Sequence, residues 1–428
     1  MAYSQYMLNK LLGIENTNFE IVDVKYSDFE ITWFVKHKHD AVHICPSCLH
    51  AATSVHSYSK VTLQDLPIGM KRQKLEIEVA KILCPCDLHI RTEFLPFKAK
   101  LHRITQRFVD YVEMLLCTKM LTVADTARIF NLDYGVVYYI DHQVLRRLIE
   151  KMEIPDPINI SVDEKSWKRG HKYVTVVTDV DTGNVIWVSE GRTKSSLDEF
   201  FKVLGPERCK KIKTVSKDMW EEFALSCAEY IPQAVEVPDS FHIVKHLNES
   251  VDKCRRELIE NQLLSDPDKA FIKGTNWVLR HKQENLTAKN LNKLEELEKL
   301  NQPLFRVYLH KEAFYNFFTF TREQLDKAIV FMNDWIDDAK KLGFKAMDEF
   351  AKFLTRHFKI IFNIIIERKS SSISEGINRK ISLVIAMGCG YKSLQYLKLK
   401  ILQRCGVLGK YWEPVHNLDL DLKSQCKT

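Results

Sequence analysis

INISVDEKSW at 158–167 and KIKTVSKDMW at 211–220 decide how the central part of this chain folds, since each sets an aspartate after a short β-type run. Between them stand two further runs of alternating apolar residues, joined by the turn residues DTGN, and then a helical segment. This pattern predicts a sheet in which three strands and a helix precede a fourth strand. In that topology the first and fourth strands lie side by side, so Asp163 and Asp218 are expected to meet at neighbouring strand ends.

A third carboxylate, Glu375, lies in the helical segment SSSISEGINRKI. Carboxylates held at strand ends and joined by one from a helix can bind two divalent metal ions, which clamp the attacking and leaving oxygens of a phosphodiester. The pattern therefore favours a ribonuclease-H-like α/β core in which Asp163, Asp218 and Glu375 hold Mg²⁺ or Mn²⁺. Ordinary surface carboxylates are the alternative. Asp239 is a candidate substitute ligand, and His242 either orients a carboxylate, contacts phosphate or is a buried structural histidine.

The rest of the sequence separates into regions that differ in their pattern of apolar and polar residues, which predicts a multidomain α+β protein. A polar, helical stretch interrupts the core, because no α/β pattern returns before Glu375. The predicted regions are an N-terminal zinc-binding β module at 1–100, a helix-turn-helix at 101–152, the two parts of the core at 153–240 and 367–410, the helical insertion at 241–366 and a C-terminal tail at 411–428.

Two close groups of cysteine and histidine predict a structural zinc site in the N-terminal module. CPSC supplies Cys45 and Cys48, and CPCDLH supplies Cys84, Cys86 and His89. A Cys-x-x-Cys pair with a second pair from a distant hairpin is typical of tetrahedral zinc ligation. Cys84 and Cys86 are closer together than the cysteines of a usual zinc knuckle, and an incidental second group is the alternative.

The segment TVADTARIFNLDYGVVYYIDHQVL fits a helix-turn-helix, with the small Ala127 where the two helices must approach. Recognition helices read the major groove from their N-terminal half. Tyr134 and Tyr138 are therefore candidate DNA contacts. A plain helical hairpin without a DNA-binding role is the alternative.

Basic residues lie close to the proposed metal ligands. Lys168 and Arg169 follow the first aspartate, and Arg379 and Lys380 come about one helical turn after Glu375. Such residues can hold phosphates beside a metal site, although most charge runs are solvated turns. The net charge of +7 is compatible with double-stranded DNA as a partner, because phosphate contacts depend on local clusters.

The first residues, MAYSQYMLNKLLGIEN, lack the basic segment and apolar run of a secretory signal. No stretch reaches the roughly 20 apolar residues that a membrane helix requires. We therefore expect a cytoplasmic protein with no membrane partner and with its 11 cysteines reduced.

Three blocks of sequence carry a resemblance to a known family. The first block is DEKSWKRGHKYVTVVTDVDTGNVIWVSEGR, the second is SKDMWEEFALSCAEYIPQAVEVPDSFHIVKHLNESVDKCRREL, and the third is SEGINRKISLVIAMGCGYKSLQYLKLKIL. In their order along the chain and in their pattern of residues, the three blocks resemble the bacterial insertion-sequence transposases of the ISL3 group, and the resemblance covers nearly the whole chain. IAMGCGY departs from the family, which usually has more basic character here and an aromatic residue after the glycine.

The resemblance implies a DDE transposase that binds the terminal inverted repeats of a mobile element and carries out metal-dependent DNA strand cleavage and strand transfer. It implies Asp163, Asp218 and Glu375 as the catalytic positions, and a dimer or larger assembly when two DNA ends are brought together. The family's Cys-x4-Cys spacing places His89 as the fourth zinc ligand, with Cys86 in reserve. A catalytically inactive DNA-binding regulator and a nuclease that cuts without joining are the alternatives.

Overall fold

The computed structural model describes residues 2–100, 102–118, 121–218, 221–260, 264–367 and 372–411. The chain forms two compact units. The first spans Met1–Met152 and includes the described residues from Leu408 onward, and the second spans Glu153–Val407. None of the helices in the described ranges combines the length and the hydrophobicity that a membrane span requires.

The first unit begins with a helix and a five-stranded sheet. These elements are α1 (Ala2–Leu12), β1 (Phe19–Tyr26), β2 (Glu30–His37), β3 (Val55–Ile68), β4 (Lys71–Leu83) and β5 (Ile90–Thr92). The strands follow the order β1-β2-β4-β3, with β5 paired to β4, and β2 and β4 run parallel. Apolar residues at every second position of β4, such as Leu75 and Ile77, face the buried side.

Helix α1 was not foreseen, because the sequence pattern predicted only β structure in residues 1–100. Among the side chains described in this helix, those of residues 5–12, the buried ones are Leu12 and the polar Asn9. The Asn9 side chain is buried because its Oδ1 accepts a hydrogen bond of 3.2 Å from the backbone N–H of Ile21 on β1. A helix anchored through a buried amide leaves only a weak apolar periodicity in the sequence.

Three helices complete the first unit: α2 (Gln106–Cys117), α3 (Val123–Phe130) and α4 (Tyr134–Lys151). The segment in which the sequence predicts a helix-turn-helix, TVADTARIFNLDYGVVYYIDHQVL, contains α3 and the start of α4. Thr122 and Asp125 form a capping box that begins α3, and Asn131 ends it with a left-handed φ of 50°. Ala127 and Val137 are both buried in the core that the three helices share.

The second unit contains a second five-stranded sheet. Its elements are β6 (Asn159–Lys168), β7 (Lys172–Asp179), β8 (Asn184–Glu190), α5 (Lys194–Leu204), α6 (Pro206–Cys209), β9 (Thr214–Lys217), α7 (Glu221–Tyr230) and β10 (Val235–Pro238). The strand order is β10-β9-β6-β7-β8, in which β6, β9 and β10 are parallel. The prediction that the first and fourth strands of this sheet are neighbours is therefore confirmed.

One detail of the predicted sheet is wrong, because Asp163 does not end its strand. The strand continues to Lys168, since β6 goes on pairing with antiparallel β7 beyond the point where its ladder with β9 stops. On the side of β7, Asp163 is therefore a paired residue in the interior of β6. On the side of β9, it is the first residue beyond the end of the ladder.

The rest of the second unit is helical, as predicted for residues 241–366. Its helices are α8 (Ser240–Glu260), α9 (Asp266–Lys273), α10 (Asn276–Arg280), α11 (Ala288–Leu300), α12 (Gln302–Phe314), α13 (Leu325–Lys341), α14 (Lys345–Arg356), α15 (Phe358–Ile361), α16 (Asn363–Glu367), α17 (Ser372–Met387) and α18 (Leu394–Cys405). Helices α8 to α16 share one apolar core, which includes Leu247, Tyr308 and Trp335. Helix α18 packs on β8, where a Cβ on Gly406 would lie 2.1 Å from the Val185 carbonyl oxygen.

Candidate catalytic and metal-binding sites

The parallel strands of the second sheet place three aspartates in one row. The last register-aligned residues of β6, β9 and β10 are Val162, Lys217 and Pro238. The next residue on each strand is an aspartate: Asp163, Asp218 and Asp239. Neighbouring strands lie about 4.8 Å apart, so this register brings the three carboxylates to the same edge of the sheet.

The pKa of Asp239 reflects the closeness of the three carboxylates. Burial raises the pKa of its carboxyl group, and the negative charges of Asp163 and Asp218 raise it further. Carboxylates that repel one another in a partly buried site are the hard oxygen ligands that Mg²⁺ and Mn²⁺ prefer. The donor set at this edge therefore fits a divalent cation, which would relieve the repulsion.

His242 lies in the first turn of α8 and contacts this row. Its Nδ1 is 3.1 Å from Oδ2 of Asp218. Burial alone would lower the pKa of His242, but the hydrogen bond to Asp218 and the charges of Asp239 and Asp163 outweigh burial and raise it. His242 therefore orients the Asp218 carboxylate, which is one of the roles that the sequence left open for it.

Helix α17 reaches the row through Asn378, whose Nδ2 donates a hydrogen bond to Oδ2 of Asp163. Glu375 lies three residues earlier, on the same face of the helix, and its half-exposed carboxylate pairs with Arg379. The described residues contain no group in which ligand atoms of Asp163, Asp218 and Glu375 all lie within 4.8 Å of one another. The contact residue Asn378 was missed from sequence, although its spacing from Glu375 pointed to it.

The basic residues predicted to bind phosphate are exposed. Lys168 ends β6 and Arg169 lies in the turn to β7, where Gly170 has a φ of 85° and His171 a φ of 57°. Lys380 is exposed on α17, two residues after Asn378. The turn and α17 thus offer cationic side chains next to the elements that carry Asp163.

The cysteine groups form two turns of similar backbone geometry, CPSCLH at 45–50 and CPCDLH at 84–89. In the first turn, the carbonyl of Cys45 accepts from the N–H of Leu49 at 2.9 Å, and in the second the carbonyl of Cys84 accepts from Leu88 at 3.0 Å. Both leucines have a φ of 60°. The thiols of Cys45, Cys48 and Cys84 lie within 4.8 Å of one another, which suits a tetrahedral zinc ion.

Cys86 and His89 are the two residues that the sequence offered as the fourth ligand of this cluster. Cys86 forms a group with Cys48 and His50 within the same distance limit, whereas His89 belongs to no such group among the described residues. In the second turn, Asp87 stands where the first turn has Cys48, and its carboxylate binds the guanidinium of Arg91 through two contacts of 2.6 Å. The geometry thus favours Cys86, the reserve residue, over His89.

The ionisation of Cys45 also suits a metal ligand. Burial would raise the pKa of this thiol, but hydrogen bonds from the backbone N–H groups of Cys48 and Ser47 outweigh burial and lower the pKa to about 7. The thiolate is the form that binds zinc. The backbone of the first turn thus favours the thiolate at Cys45, while at Cys48 the backbone hydrogen bond from His50 is outweighed by burial and the neighbouring thiols, which raise the pKa of Cys48 to about 12.

The N-terminal half of α4 presents two aromatic rings. Tyr134 is 56% exposed. Tyr138 is half-buried against the helical core and stacks on Tyr134, with 6.2 Å between the ring centroids. Asp133 caps the helix by accepting from the N–H groups of Gly135 and Val136. The exposed ring of Tyr134 is therefore held at the start of the helix.

Comparison with known proteins places the two units in one family. Residues 160–401 match a family model described as "Transposase", the DDE type of the ISL3 group. Residues 41–86 match the "zinc-finger of transposase IS204/IS1001/IS1096/IS1165". The zinc-finger match ends at Cys86 and leaves out His89.

Two relatives extend this comparison. A "Transposase for insertion sequence element IS1001" from Bordetella parapertussis is 30% identical over 362 residues, covering 84% of this chain and 88% of that protein. A "Transposase for insertion sequence element IS1557" from Mycobacterium tuberculosis is 29% identical over 259 residues, covering 56% of this chain and 58% of that protein. Because a family model matches more than half of the length of this chain, the chain belongs to the ISL3 group of DDE transposases, which are enzymes that act on DNA.

Proposed function

We propose that this transposase binds the terminal inverted repeats of its mobile element and catalyses metal-dependent DNA strand cleavage and strand transfer at Asp163, Asp218 and Glu375. The observation that carries the proposal is the register of β6 and β9, which sets both aspartates immediately after one aligned pair of residues. The strand order and directions of this sheet support a ribonuclease-H-like core interrupted by the helices between α8 and α16.

The residues of this site fit two-metal phosphodiester chemistry. Two Mg²⁺ or Mn²⁺ ions, when bound, would activate the attacking water or 3′-hydroxyl and stabilise the leaving oxygen. Asp163 and Asp218 provide ligand oxygens from rigid strands. Asn378 holds one oxygen of Asp163, and His242 holds one oxygen of Asp218. Glu375, one turn before Asn378, is the carboxylate that α17 would supply once it leaves Arg379.

We also propose a structural zinc ion held by Cys45, Cys48, Cys84 and Cys86. The grouping of these side chains around Cys48 supports this ligand set, with His89 as the alternative fourth ligand. A zinc ion with four protein ligands has no open position and serves to stabilise a fold. Its role here is to join the two cysteine turns, which lie far apart in sequence.

DNA recognition is assigned to α3 and α4, which we propose form a helix-turn-helix, and to the basic residues near the site. The exposed Tyr134 and its neighbour Tyr138 occupy the part of a recognition helix that enters the major groove. Lys168, Arg169 and Lys380 would hold phosphates, with Arg379 joining them when Glu375 turns to a metal. Bringing two element ends together calls for a dimer or larger assembly.

The proposed activity can be tested with the purified protein, Mg²⁺ or Mn²⁺ and labelled DNA that carries the repeats flanking its gene. We expect cleavage at the repeat ends and covalent joining of those ends to a target plasmid. Cleavage without joining would instead identify a nuclease. Specific binding with neither reaction would identify a regulator.

A variant of Asn378 tests the geometry of the site. Asn378→Ala removes the hydrogen bond that orients Asp163, and loss of such a supporting contact typically costs about 10- to 100-fold in metal affinity or activity. We expect cleavage to require more Mg²⁺, while binding to repeat DNA stays unchanged in a gel-shift assay. Leu383→Ala, at an exposed position of the same helix, is the matched control. Equal metal dependence in both variants would remove Asn378 from this role.

Variants of the tyrosines and of the basic turn separate base reading from phosphate binding. Tyr134→Ala should reduce discrimination between repeat and random DNA by about 1–3 kcal/mol, the usual cost of one mismatched base pair. Lys168→Ala and Arg169→Ala should weaken binding to all sequences equally and lower the salt dependence. Ile149→Ala, in the C-terminal half of α4, is the control for helix surface changes. The measurement is a salt titration of binding to both DNAs, and unchanged discrimination in Tyr134→Ala would contradict the assignment.

A further inference from the structure

We infer that His37, His43 and Glu93 form a second metal site in the first unit, separate from the cysteine cluster and suited to Zn²⁺. His37 ends β2, His43 precedes the first cysteine turn, and Glu93 follows β5. One ligand atom from each of the three side chains lies within 4.8 Å of the other two. The two metal sites share no ligand.

The two carboxylate oxygens of Glu93 each face one imidazole. Oε1 is 2.7 Å from Nε2 of His37, and Oε2 is 2.8 Å from Nδ1 of His43. The imidazole rings are nearly perpendicular, with 4.6 Å between their centroids. Ligand atoms from three different segments of the chain therefore lie close to one another.

The charge of Glu93 supports a cation at this cluster. Its side chain is only 3% exposed, and its ion-pair partners in the described part of the chain are His37 and His43. The Ala80 N–H also donates to its Oε1. Glu93 is thus a buried carboxylate with no lysine or arginine among those partners, and a buried carboxylate is stable when a positive charge compensates it.

The donor set decides which ion fits. Two imidazole nitrogens and one carboxylate are borderline ligands that favour Zn²⁺ over Mg²⁺ or Ca²⁺. The side chains of His37 and His43 are 12% and 17% exposed, so a water molecule can reach a fourth position. Neutral histidine is the form that binds a metal, and the hydrogen bonds to Glu93 would give way to bonds from all three residues to the ion.

Such an ion would have a structural consequence that the cysteine site does not provide. It would tie the end of β2 and the segment before Cys45 to the chain just after β5. This second connection would hold the first cysteine turn against the large sheet of the unit.

The test is zinc content by elemental analysis of the full-length protein after equilibrium dialysis. Asp163→Asn and Asp218→Asn are introduced into every sample, so that zinc bound at those aspartates does not contribute. We expect one equivalent of zinc at the thiolates and a second equivalent that is lost in Glu93→Gln and in His43→Gln. His39→Gln, an exposed histidine that lies outside the cluster, is the matched control and should keep both equivalents.

Cobalt substitution shows which site loses its ion. In Glu93→Gln the near-ultraviolet thiolate-to-cobalt absorption should persist in full, while the weaker visible absorption of the second ion disappears. A parent protein that holds one zinc equivalent, all of it at the thiolates, would overturn the inference without reference to any variant. Retention of two equivalents by both Glu93→Gln and His43→Gln would overturn it as well, leaving a hydrogen-bonded cluster only.

Discussion

Asp163→Asn, Asp218→Asn and Glu375→Gln are each expected to abolish DNA cleavage and strand transfer while leaving binding to the element ends largely intact. Each change removes one ligand charge at nearly constant side-chain size. Metal ions contribute several kcal/mol of transition-state stabilisation, and about 4 kcal/mol corresponds to roughly a thousandfold in rate. Cleavage and gel shift are measured on the same preparations with Mg²⁺ and with Mn²⁺.

Glu164→Gln is the matched control for these three variants. Glu164 is adjacent to Asp163, but successive strand residues point to opposite faces, and its carboxylate lies 3.1 Å from Arg192. We expect this variant to cleave at close to the normal rate. Full cleavage by any one of the three acidic variants would exclude that residue from the site.

Cys45→Ser is expected to release the thiolate-bound zinc and to unfold the cysteine turns of the first unit. Cys45 is fully buried, and the formation of a zinc site is coupled to local folding, so losing the ion also removes folding free energy. Binding to repeat DNA should weaken with it, while the second unit keeps its structure. Zinc content, limited proteolysis and DNA affinity measured together check this result.

Cys389→Ser is the control for thiol loss, because Cys389 is exposed and belongs to the second unit. It should retain all zinc. A comparison of Cys86→Ser with His89→Gln then identifies the fourth ligand, and we expect only Cys86→Ser to lower the zinc affinity. A purified protein that contains no thiolate-bound zinc would refute the site itself.

The sequence was most informative where local patterns have a single structural solution. DTGN between two β-branched runs specified the hairpin of β7 and β8. The adjacency of the first and fourth strands of the second sheet followed from the order of strands and helix along the chain. These features depend on neighbouring residues, so a single sequence is enough to predict them.

The sequence failed where contacts between distant segments set the outcome. Helix α1 escaped detection because a polar residue, Asn9, anchors it through a bond to β1. The preference for Cys86 over His89 arises from how the two cysteine turns face each other, which spacing along the chain cannot show. No sequence pattern singled out Glu93, and only the structure shows its carboxylate between His37 and His43.

By itself, the sequence determined the family, most elements of both units and the adjacency of the strands that carry Asp163 and Asp218, because the family's sequence blocks, the apolar period and the turn residues are visible in the chain itself. The tertiary structure alone decided that Asp239 joins the same row, that Asn378 and His242 hold two of its carboxylates, and that Glu93 lies between two histidines. The physical reason is that register and side-chain packing bring together residues far apart in the chain.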